Sequence, residues 1–354
     1  MKIIADENLA FVDYFFAEFG QIEQKAGRTL THIDVKDAQA LLVRSVTAVN
    51  ANLIENTALQ FVGSATIGTD HLDIQALEKQ HITWANAAGC NAQAVAEYVI
   101  TALLHLEPNL LDQNQNFTLG IIGLGNVGSR LAKMAQLLNW NVIAYDPFVQ
   151  QTQIQQVKLQ QLLQQANAIS IHVPLTQTGQ YPTFHLINDV VLNQIPAETI
   201  LINSARGAVV EEKALIVDIQ KTKRRVVLDV FEYEPEISLP LLDLLALATP
   251  HIAGYSLEGK ARGTQMIYQA FCQKFTYVAH KQFESQLPIA QPYFKQDIKQ
   301  ALKTHLTQIY NIALDDQQLR ACVKNGKVEQ KAFDQLRKNY PLRREWSAHG
   351  GPVA

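Results

Sequence analysis

The sequence has little of what marks a secreted, disulfide-bonded or zinc-binding protein. Only three of its 354 residues are cysteines, Cys90, Cys272 and Cys322, and they lie far apart without the spacing of a metal site. Scattered cysteines are typical of cytosolic proteins with reduced thiols, whereas small secreted domains are dense in disulfides. The sequence therefore predicts neither a disulfide framework nor a bound metal.

An excess of one charge and long apolar runs are also missing. The formal net charge is −3 at pH 7, which gives no basic surface for nucleic acid. No stretch approaches the roughly 18 apolar residues of a membrane helix. Asp6 and Glu7 directly follow the short apolar run at the N-terminus, unlike the pattern of a signal peptide. We therefore expect a cytoplasmic protein whose partners include neither nucleic acid nor membrane.

Short apolar runs alternate with helical spacers along most of the chain. The runs typical of buried strands are residues 2–5, 40–43, 61–62, 82–84, 119–123, 141–145, 168–173, 200–202, 226–228 and 246–249. Helices are predicted after Asn91 and at residues 129–138 and 262–278. Strands that alternate with helices indicate a doubly wound parallel sheet, and the length favours two or three domains.

A glycine-rich loop ends the predicted strand at residues 119–123. It reads Gly123-Leu124-Gly125-Asn126-Val127-Gly128 and matches the G-x-G-x-x-G pattern. In dinucleotide-binding loops the first glycine permits a tight turn, the second lets the backbone approach the pyrophosphate, and the third allows close helix packing. The alternative is a plain glycine turn, but the flanking strand and helix favour a dinucleotide site formed by Gly123, Gly125, Asn126, Val127 and Gly128.

Asp146 favours NAD as the dinucleotide. It ends the next predicted strand, about 20 residues after the glycines, where a carboxylate accepts hydrogen bonds from the adenosine ribose. The same carboxylate would repel the 2′-phosphate of NADP, and Pro147 and Phe148 follow it instead of an arginine. Without the glycines, Asp146-Pro147 would be interpreted as an ordinary turn.

Three ionisable residues follow strand ends downstream of the glycine loop, where parallel sheets bind ligands. Their segments are Asn203-Ser204-Ala205-Arg206-Gly207, Asp229-Val230-Phe231-Glu232-Tyr233-Glu234-Pro235 and Thr249-Pro250-His251-Ile252-Ala253-Gly254. Taken singly, Arg206 is more typical of a surface ion pair and His251 of a structural residue, and Glu234 is equally typical of a solvated loop acid. Together, a guanidinium can bind a carboxylate, an imidazole can exchange a proton near neutral pH, and a carboxylate can orient that imidazole. The set suits oxidation of a 2-hydroxy acid by a nicotinamide cofactor.

These blocks resemble those of the D-isomer-specific 2-hydroxyacid dehydrogenases. Other segments are similar to one subfamily that acts on a phosphorylated acid and carries an extra C-terminal unit: Asp6-Glu7-Asn8, Val43-Arg44-Ser45-Val46-Thr47, Gly68-Thr69-Asp70-His71, Gly89-Cys90-Asn91-Ala92, residues 251–260, Leu336-Arg337-Lys338-Asn339-Tyr340 and Arg343-Arg344-Glu345-Trp346. The resemblance therefore covers nearly the whole chain.

The resemblance implies an α/β fold in three parts. These are a Rossmann-type doubly wound parallel-sheet domain, a flavodoxin-like substrate domain and a small C-terminal α+β dimerisation domain. On this basis residues 1–95 and 255–285 form the substrate-binding domain and residues 96–254 the NAD-binding domain. Residues 286–354 would then form the dimerisation domain, through which the chain makes a homodimer.

The resemblance also assigns roles to individual residues. Arg206, Glu234 and His251 form the catalytic set, and Ser45, Thr66 and Tyr255 hold the substrate. NAD contacts fall, besides the glycine loop, on Asp146, Val173, Ser204, Ala205, Arg206, Asp229 and Gly254. Val173 stands where the subfamily more often has threonine, so only its backbone is expected to serve NAD.

Some questions stay open at this point. The substrate phosphate needs cations, and Arg44 beside Ser45 is one candidate. Arg343 or Arg344 of a partner subunit are others, unless they are surface charges of the dimerisation unit. Alternative functions are a related dehydrogenase for 3-phosphoglycerate, glyoxylate, hydroxypyruvate or lactate, and a non-catalytic NAD-sensing module. Formate dehydrogenase is disfavoured, because Glu234 would make the histidine cationic where that enzyme type uses an amide.

Overall fold

The structure, a computed structural model, describes residues 1–112, 116–150 and 152–353. The chain divides into two compact units. The first consists of Met1–Asn91 with Ser256–Ile289, and the second of Ala92–Tyr255 with Ala290–Ala354. The C-terminal segment therefore belongs to the same compact unit as the glycine loop. Among the described helices, none is both long and apolar enough to cross a membrane.

The first unit is built on a five-stranded parallel sheet. Its strands are β1 (Lys2–Asp6), β2 (Gln21–Lys25), β3 (Ala40–Val43), β4 (Phe61–Ser64) and β5 (Thr83–Asn86), in the order β2-β1-β3-β4-β5. This 2-1-3-4-5 order confirms the predicted flavodoxin-like fold. The α-helices of the unit are Val12–Phe16, His32–Val35, Ala51–Ile54, Ile74–Lys79 and Leu257–Lys274, and its 3-10 helices are Ala17–Phe19, Gly27–Thr29 and Phe283–Gln286.

The second unit is built on a seven-stranded parallel sheet. Its strands are β6 (Thr118–Ile122), β7 (Asn141–Tyr145), β8 (Gln155–Gln156), β9 (Ala168–Ile171), β10 (Ile200–Asn203), β11 (Val226–Leu228) and β12 (Leu247–Ala248). The order is β12-β11-β10-β9-β6-β7-β8, so the direction of winding reverses between β6 and β9. This order confirms the predicted Rossmann-type domain, in which ligands bind beyond the carboxyl ends of the strands at that reversal.

Helices cover the second sheet, and the C-terminal segment adds to its core. The α-helices are Ala92–Leu106, Asn126–Leu137, Leu159–Gln165, Asp189–Leu192, Glu212–Thr222, Leu239–Leu242, Ile298–Ile309, Ile312–Arg320 and Gln330–Lys338, with 3-10 helices at Gly207–Val209 and Trp346–His349. The antiparallel strands β13 (Val323–Lys324) and β14 (Lys327–Val328) complete a small C-terminal α+β domain, as predicted. Its Trp346 is buried in the same apolar cluster as Leu131 of the helix that follows the glycine loop.

Candidate active site

The glycine loop joins β6 to the helix Asn126–Leu137. Gly123 has a φ of +97°, and a Cβ there would lie 2.6 Å from the carbonyl oxygen of His172 and 3.0 Å from Cγ1 of Val173. A Cβ on Gly128 would lie 1.9 Å from the carbonyl oxygen of Gly123, whereas a Cβ on Gly125 would meet nothing within 4 Å. The backbone is thus tightly packed on two sides and open at Gly125, as a pyrophosphate site requires.

Asp146 lies directly after β7 and is tied to the glycine loop. One carboxylate oxygen accepts a hydrogen bond from the backbone N–H of Leu124 at 2.8 Å, and the other accepts one from the N–H of Phe148 at 2.9 Å. The half-buried carboxylate is therefore fixed beside the glycines. This position suits hydrogen bonds to ribose hydroxyls.

The turn that carries Arg206 is held by the fully buried Asn203 at the end of β10. The side-chain amide of Asn203 donates to the carbonyl oxygen of Arg206 at 2.9 Å, and its oxygen accepts from the N–H of Ala205 at 3.0 Å. Ser204, inside the turn, has a buried hydroxyl oxygen without a hydrogen-bond partner. An ordered water or a polar ligand atom would satisfy this hydroxyl, so this turn and the glycine loop fit the dinucleotide that the motif predicts.

Gly207 brings this turn against the segment that carries Glu234. A Cβ on Gly207 would lie 1.9 Å from the carbonyl oxygen of Phe231 and 2.5 Å from the nitrogen of Glu232, so no larger residue fits. The backbone after Arg206 therefore packs directly on the segment after β11. This close approach fixes the position of two predicted catalytic segments relative to each other.

His251 and Glu234 form a close pair. The Nδ1 atom of His251 lies 3.1 Å from each carboxylate oxygen of Glu234. The side chains are 36% and 20% exposed, which leaves the imidazole accessible while its carboxylate partner is more enclosed. If Nδ1 donates its hydrogen to Glu234, the Nε2 atom is left to exchange a proton with a ligand.

His251 begins a short segment, residues 251–255, which we call the histidine loop. The backbone of His251 has a φ of +56°, and its N–H donates to the carbonyl oxygen of Asp229 at 2.8 Å. The carboxylate of Asp229, 1% exposed, accepts hydrogen bonds from Thr249 Oγ1 at 2.6 Å, from Ile252 N at 2.8 Å and from Ala253 N at 2.9 Å. Burial raises the pKa of Asp229 although these donors and His251 oppose the shift. The structure thus places this side chain under the loop, and its contact with NAD stays a prediction, as does that of the half-buried Gly254 within the loop.

Tyr255, at the end of the histidine loop, contacts an arginine that sequence reasoning missed. Nη2 of Arg337 donates to the hydroxyl of Tyr255 at 3.3 Å, and the guanidinium lies 5.9 Å from the centre of the tyrosine ring. Burial lowers the pKa of Arg337, but the interactions with Tyr255 and Glu234 outweigh this effect, so the pKa is raised overall. In the sequence, Arg337 lies in the segment Leu336-Arg337-Lys338-Asn339-Tyr340 that resembles the subfamily, but the resemblance assigned it no role.

Arg343 does not reach toward a partner subunit. It is 8% exposed in the core of its own chain, where its Nη1 donates to the carbonyl oxygens of Ile252 at 3.1 Å and Tyr255 at 3.2 Å. Its Nη2 donates to the carbonyl oxygens of Ala94 at 3.0 Å and of Ala253. The prediction that Arg343 binds phosphate or lies on the surface is therefore wrong, because its guanidinium is committed to backbone carbonyls. The part of that prediction that concerns Arg344 stays open.

The remaining predicted substrate residues belong to the first unit, at the carboxyl edge of its sheet. Arg44 follows β3 and its Nε donates to the fully buried Asp6 at 2.8 Å, while Ser45 beside it is exposed. Thr66 follows β4, and its hydroxyl lies 2.8 Å from that of Ser64, which in turn lies 2.8 Å from Nε2 of His71.

The first unit also contains a second cation close to Arg44. Burial, and then Arg44 itself, lowers the pKa of Lys260 to about 8. Lys260 was not predicted as a site residue, although it ends the segment 251–260 that carried the resemblance. Within the described residues, no group of three or more His, Cys, Asp and Glu side chains is arranged to hold a metal ion.

Two protein families match the chain. Residues 104–253 match the NAD binding domain of the D-isomer specific 2-hydroxyacid dehydrogenases. Residues 285–350 match a domain of unknown function, which coincides with the C-terminal α+β domain. The two matches cover separate parts of the chain, the glycine-loop sheet and the C-terminal segment.

Curated relatives are similar over the full length of the chain. Erythronate-4-phosphate dehydrogenase of Acinetobacter baumannii is 72% identical over 100% of both chains. The enzyme of the same name from Psychrobacter cryohalolentis is 45% identical over 98% of this chain and 97% of its own.

Solved structures show the same fold at lower identity. The D-lactate dehydrogenase of Aquifex aeolicus, complexed with NAD and lactic acid, has a TM-score of 0.63 at 22% identity, over 80% of this chain and 100% of its own. The NAD-bound 3-phosphoglycerate dehydrogenase of Entamoeba histolytica has a TM-score of 0.65 at 23% identity, over 78% of this chain and 95% of its own.

Proposed function

The chain belongs to the erythronate-4-phosphate dehydrogenases, and from this premise we propose that it oxidises 4-phospho-D-erythronate at C2 to the 2-oxo acid. It is an NAD-dependent dehydrogenase of the D-isomer specific 2-hydroxyacid type. The observation that carries the proposed chemistry is the His251–Glu234 pair at the carboxyl edge of the glycine-loop sheet.

Each step of the proposed oxidation uses a residue of this edge. Arg206 holds the substrate carboxylate and the C2 oxygen through its guanidinium. Bound NAD supplies the acceptor for the hydride that leaves C2. His251 takes the proton of the C2 hydroxyl at Nε2, and Glu234 stabilises the imidazolium that forms by accepting from Nδ1. The products are the 2-oxo acid, NADH and a proton held on His251.

The phosphate of the substrate requires cations. In the first unit, Arg44 lies beside Ser45 and near Lys260, which gives two cations at one sheet edge. An acid without the phosphate would not be attracted by these cations, so we expect it to be a poorer substrate.

We also propose the biological setting of the reaction. The subfamily resemblance implies a step of pyridoxal 5′-phosphate biosynthesis in the cytoplasm. It further implies a homodimer formed through the C-terminal domain, with residues 1–95 and 255–285 binding substrate and residues 96–254 binding NAD.

The test is a rate comparison on several acids with the purified full-length protein. NADH formation is followed with 4-phosphoerythronate, 3-phosphoglycerate, glycerate and D-lactate, and kcat/KM is determined for each. We expect 4-phosphoerythronate to be preferred to glycerate and D-lactate, which lack the phosphate, by at least about tenfold, since a charge-assisted contact contributes roughly 1.5–3 kcal/mol. A preference for 3-phosphoglycerate would assign the related dehydrogenase activity. NADH binding without turnover of any acid would favour the NAD-sensing module.

A further inference from the structure

The histidine loop is held from two faces by side chains of opposite charge. On one face, Asp229 accepts hydrogen bonds from the N–H groups of Ile252 and Ala253. On the other face, Arg343 donates to the carbonyl oxygens of Ile252, Ala253 and Tyr255. The loop lies outside any helix or strand, so these two side chains supply much of its backbone hydrogen bonding.

Arg343 is itself held rigidly. Its guanidinium lies 4.4 Å from the ring centre of Tyr310 and also donates to the carbonyl oxygen of Ala94 at 3.0 Å. At the start of the loop, the φ of His251 is +56°, a conformation that residues other than glycine rarely adopt. Such a conformation persists only where surrounding contacts impose it.

We infer that Arg343 is a positioning residue for the proton transfer by His251. This inference rests on the proposed function. Arg343 is supplied by the C-terminal domain, which matches a family of unknown function. By holding the loop carbonyl groups, Arg343 keeps the imidazole ring of His251 oriented so that Nδ1 faces the carboxylate of Glu234 and Nε2 faces the substrate. The C-terminal domain thereby takes part in catalysis within its own chain.

The planar fork of arginine explains the choice of residue. A guanidinium offers five N–H donors in a fixed geometry, whereas a lysine ammonium offers three on a flexible stem. Arg343→Lys therefore keeps the charge but cannot hold the carbonyl oxygens of Ile252, Ala253 and Tyr255 together. A shift of a catalytic group by about 1 Å costs on the order of 100-fold in rate.

The test compares Arg343→Lys with Arg224→Lys in the full-length protein. Arg224 is also buried and also donates to backbone carbonyls, among them those of Pro196 and Ile195, but it lies before β11 at the opposite edge of the sheet. Both variants should lose thermal stability. Only Arg343→Lys should lower kcat, by roughly 10- to 100-fold, with NADH affinity and KM within about threefold of the wild type. With substrate deuterated at C2, its isotope effect on kcat should rise, because chemistry becomes slower relative to product release.

A double variant separates positioning from general damage. If Arg343 acts through His251, Arg343→Lys should cost little further rate in a His251→Asn background. An undiminished cost in that background, or a folded Arg343→Lys with wild-type kcat, would overturn the inference.

A second substitution and the choice of substrate keep the test of Arg343 decisive. If Arg343→Lys does not fold, Arg343→Gln, which removes the charge and retains an N–H donor pair, replaces it in the same measurements. All ratios are taken on the acid that the wild type oxidises fastest. A wild type that prefers an acid other than 4-phosphoerythronate therefore counts against the proposed substrate and leaves the comparison of arginine variants valid.

Discussion

Arg224 and Arg343 occupy opposite edges of the seven-stranded sheet, and both are surrounded by backbone carbonyl groups. Arg224 also pairs with Asp218, with its Nε 2.6 Å from one carboxylate oxygen and its Nη2 3.2 Å from the other. Arg343 instead stacks on Tyr310 and donates to the histidine loop. The same residue type in the same kind of environment thus holds loops at the amino edge of the sheet in one case and the histidine loop, which carries a predicted catalytic residue, in the other.

The difference follows from the direction of the strands. All strands of the sheet are parallel, so every loop after a strand lies at one edge and every loop before a strand at the other. Asn203, Asp229 and Thr249 sit at or just after strand ends, where their side chains hold the segments that carry the predicted catalytic residues. We therefore expect substitutions at the carboxyl edge to change rate and those at the amino edge to change stability.

The largest effect should come from His251→Asn. Asparagine is similar in size to the part of the histidine side chain that it replaces but cannot exchange a proton, so turnover should fall by roughly 100- to 10,000-fold. NADH binding, measured by fluorescence, should be retained. The matched control is His185→Asn, which removes a second histidine–glutamate contact, 2.7 Å from Glu232, in the same unit. Equal rate losses in both variants would contradict the assignment of His251.

A second, smaller effect should follow from Arg224→Ala at the amino edge. Removing the guanidinium leaves Asp218 and several carbonyl groups buried without their donor. Loss of one partner of a buried ion pair costs about 3–5 kcal/mol in the free energy of unfolding. Urea unfolding should show this loss, while kcat per folded molecule should stay unchanged. A reduced kcat in folded Arg224→Ala would contradict the expectation that substitutions at the amino edge change stability and not rate.

The smallest effect concerns Glu97, near Arg343. Burial, and then the neighbouring Glu345, raises the pKa of Glu97 well above 4.5, although hydrogen bonds from Gln93 and Trp346 oppose this. The folded state therefore holds a proton that the unfolded chain has released, and stability falls as pH rises from 4.5 through the raised pKa. The slope is at most about 1.4 kcal/mol per pH unit.

Glu97→Gln tests this directly, because glutamine imitates the protonated carboxyl group. The variant should show a flatter dependence of the free energy of unfolding on pH at pH values above about 4.5, where the wild-type chain loses stability as pH rises. Asp218→Asn is the comparison at the amino edge, where the carboxylate pairs with Arg224 and the same change should destabilise. If the free energy of unfolding of Glu97→Gln depended on pH as steeply as that of the wild type, another titratable group would be responsible for the slope.

Much of the fold could be predicted, because buried parallel strands have a strong local signature. Residues 40–43, 141–145 and 226–228 form the strands β3, β7 and β11 with the predicted bounds. Strand β2 was missed, since its sequence Gln21–Lys25 is polar and it forms by pairing with β1 at the sheet edge. The helix predicted at residues 262–278 begins earlier, at Leu257, where Ser256 caps it by accepting from the N–H of Gly259 at 2.9 Å.

By itself the sequence determined the family, the glycine loop, the cofactor and the order of the predicted catalytic segments, because each depends on residues close together in the chain. Only the tertiary structure decided what the C-terminal arginines do. Arg343 lies more than 80 positions from the loop it holds and Arg337 contacts Tyr255 across a similar distance. The sequence does not show whether an arginine will be buried among carbonyl groups, contact a tyrosine hydroxyl or face solvent. Only long-range packing brings these partners together.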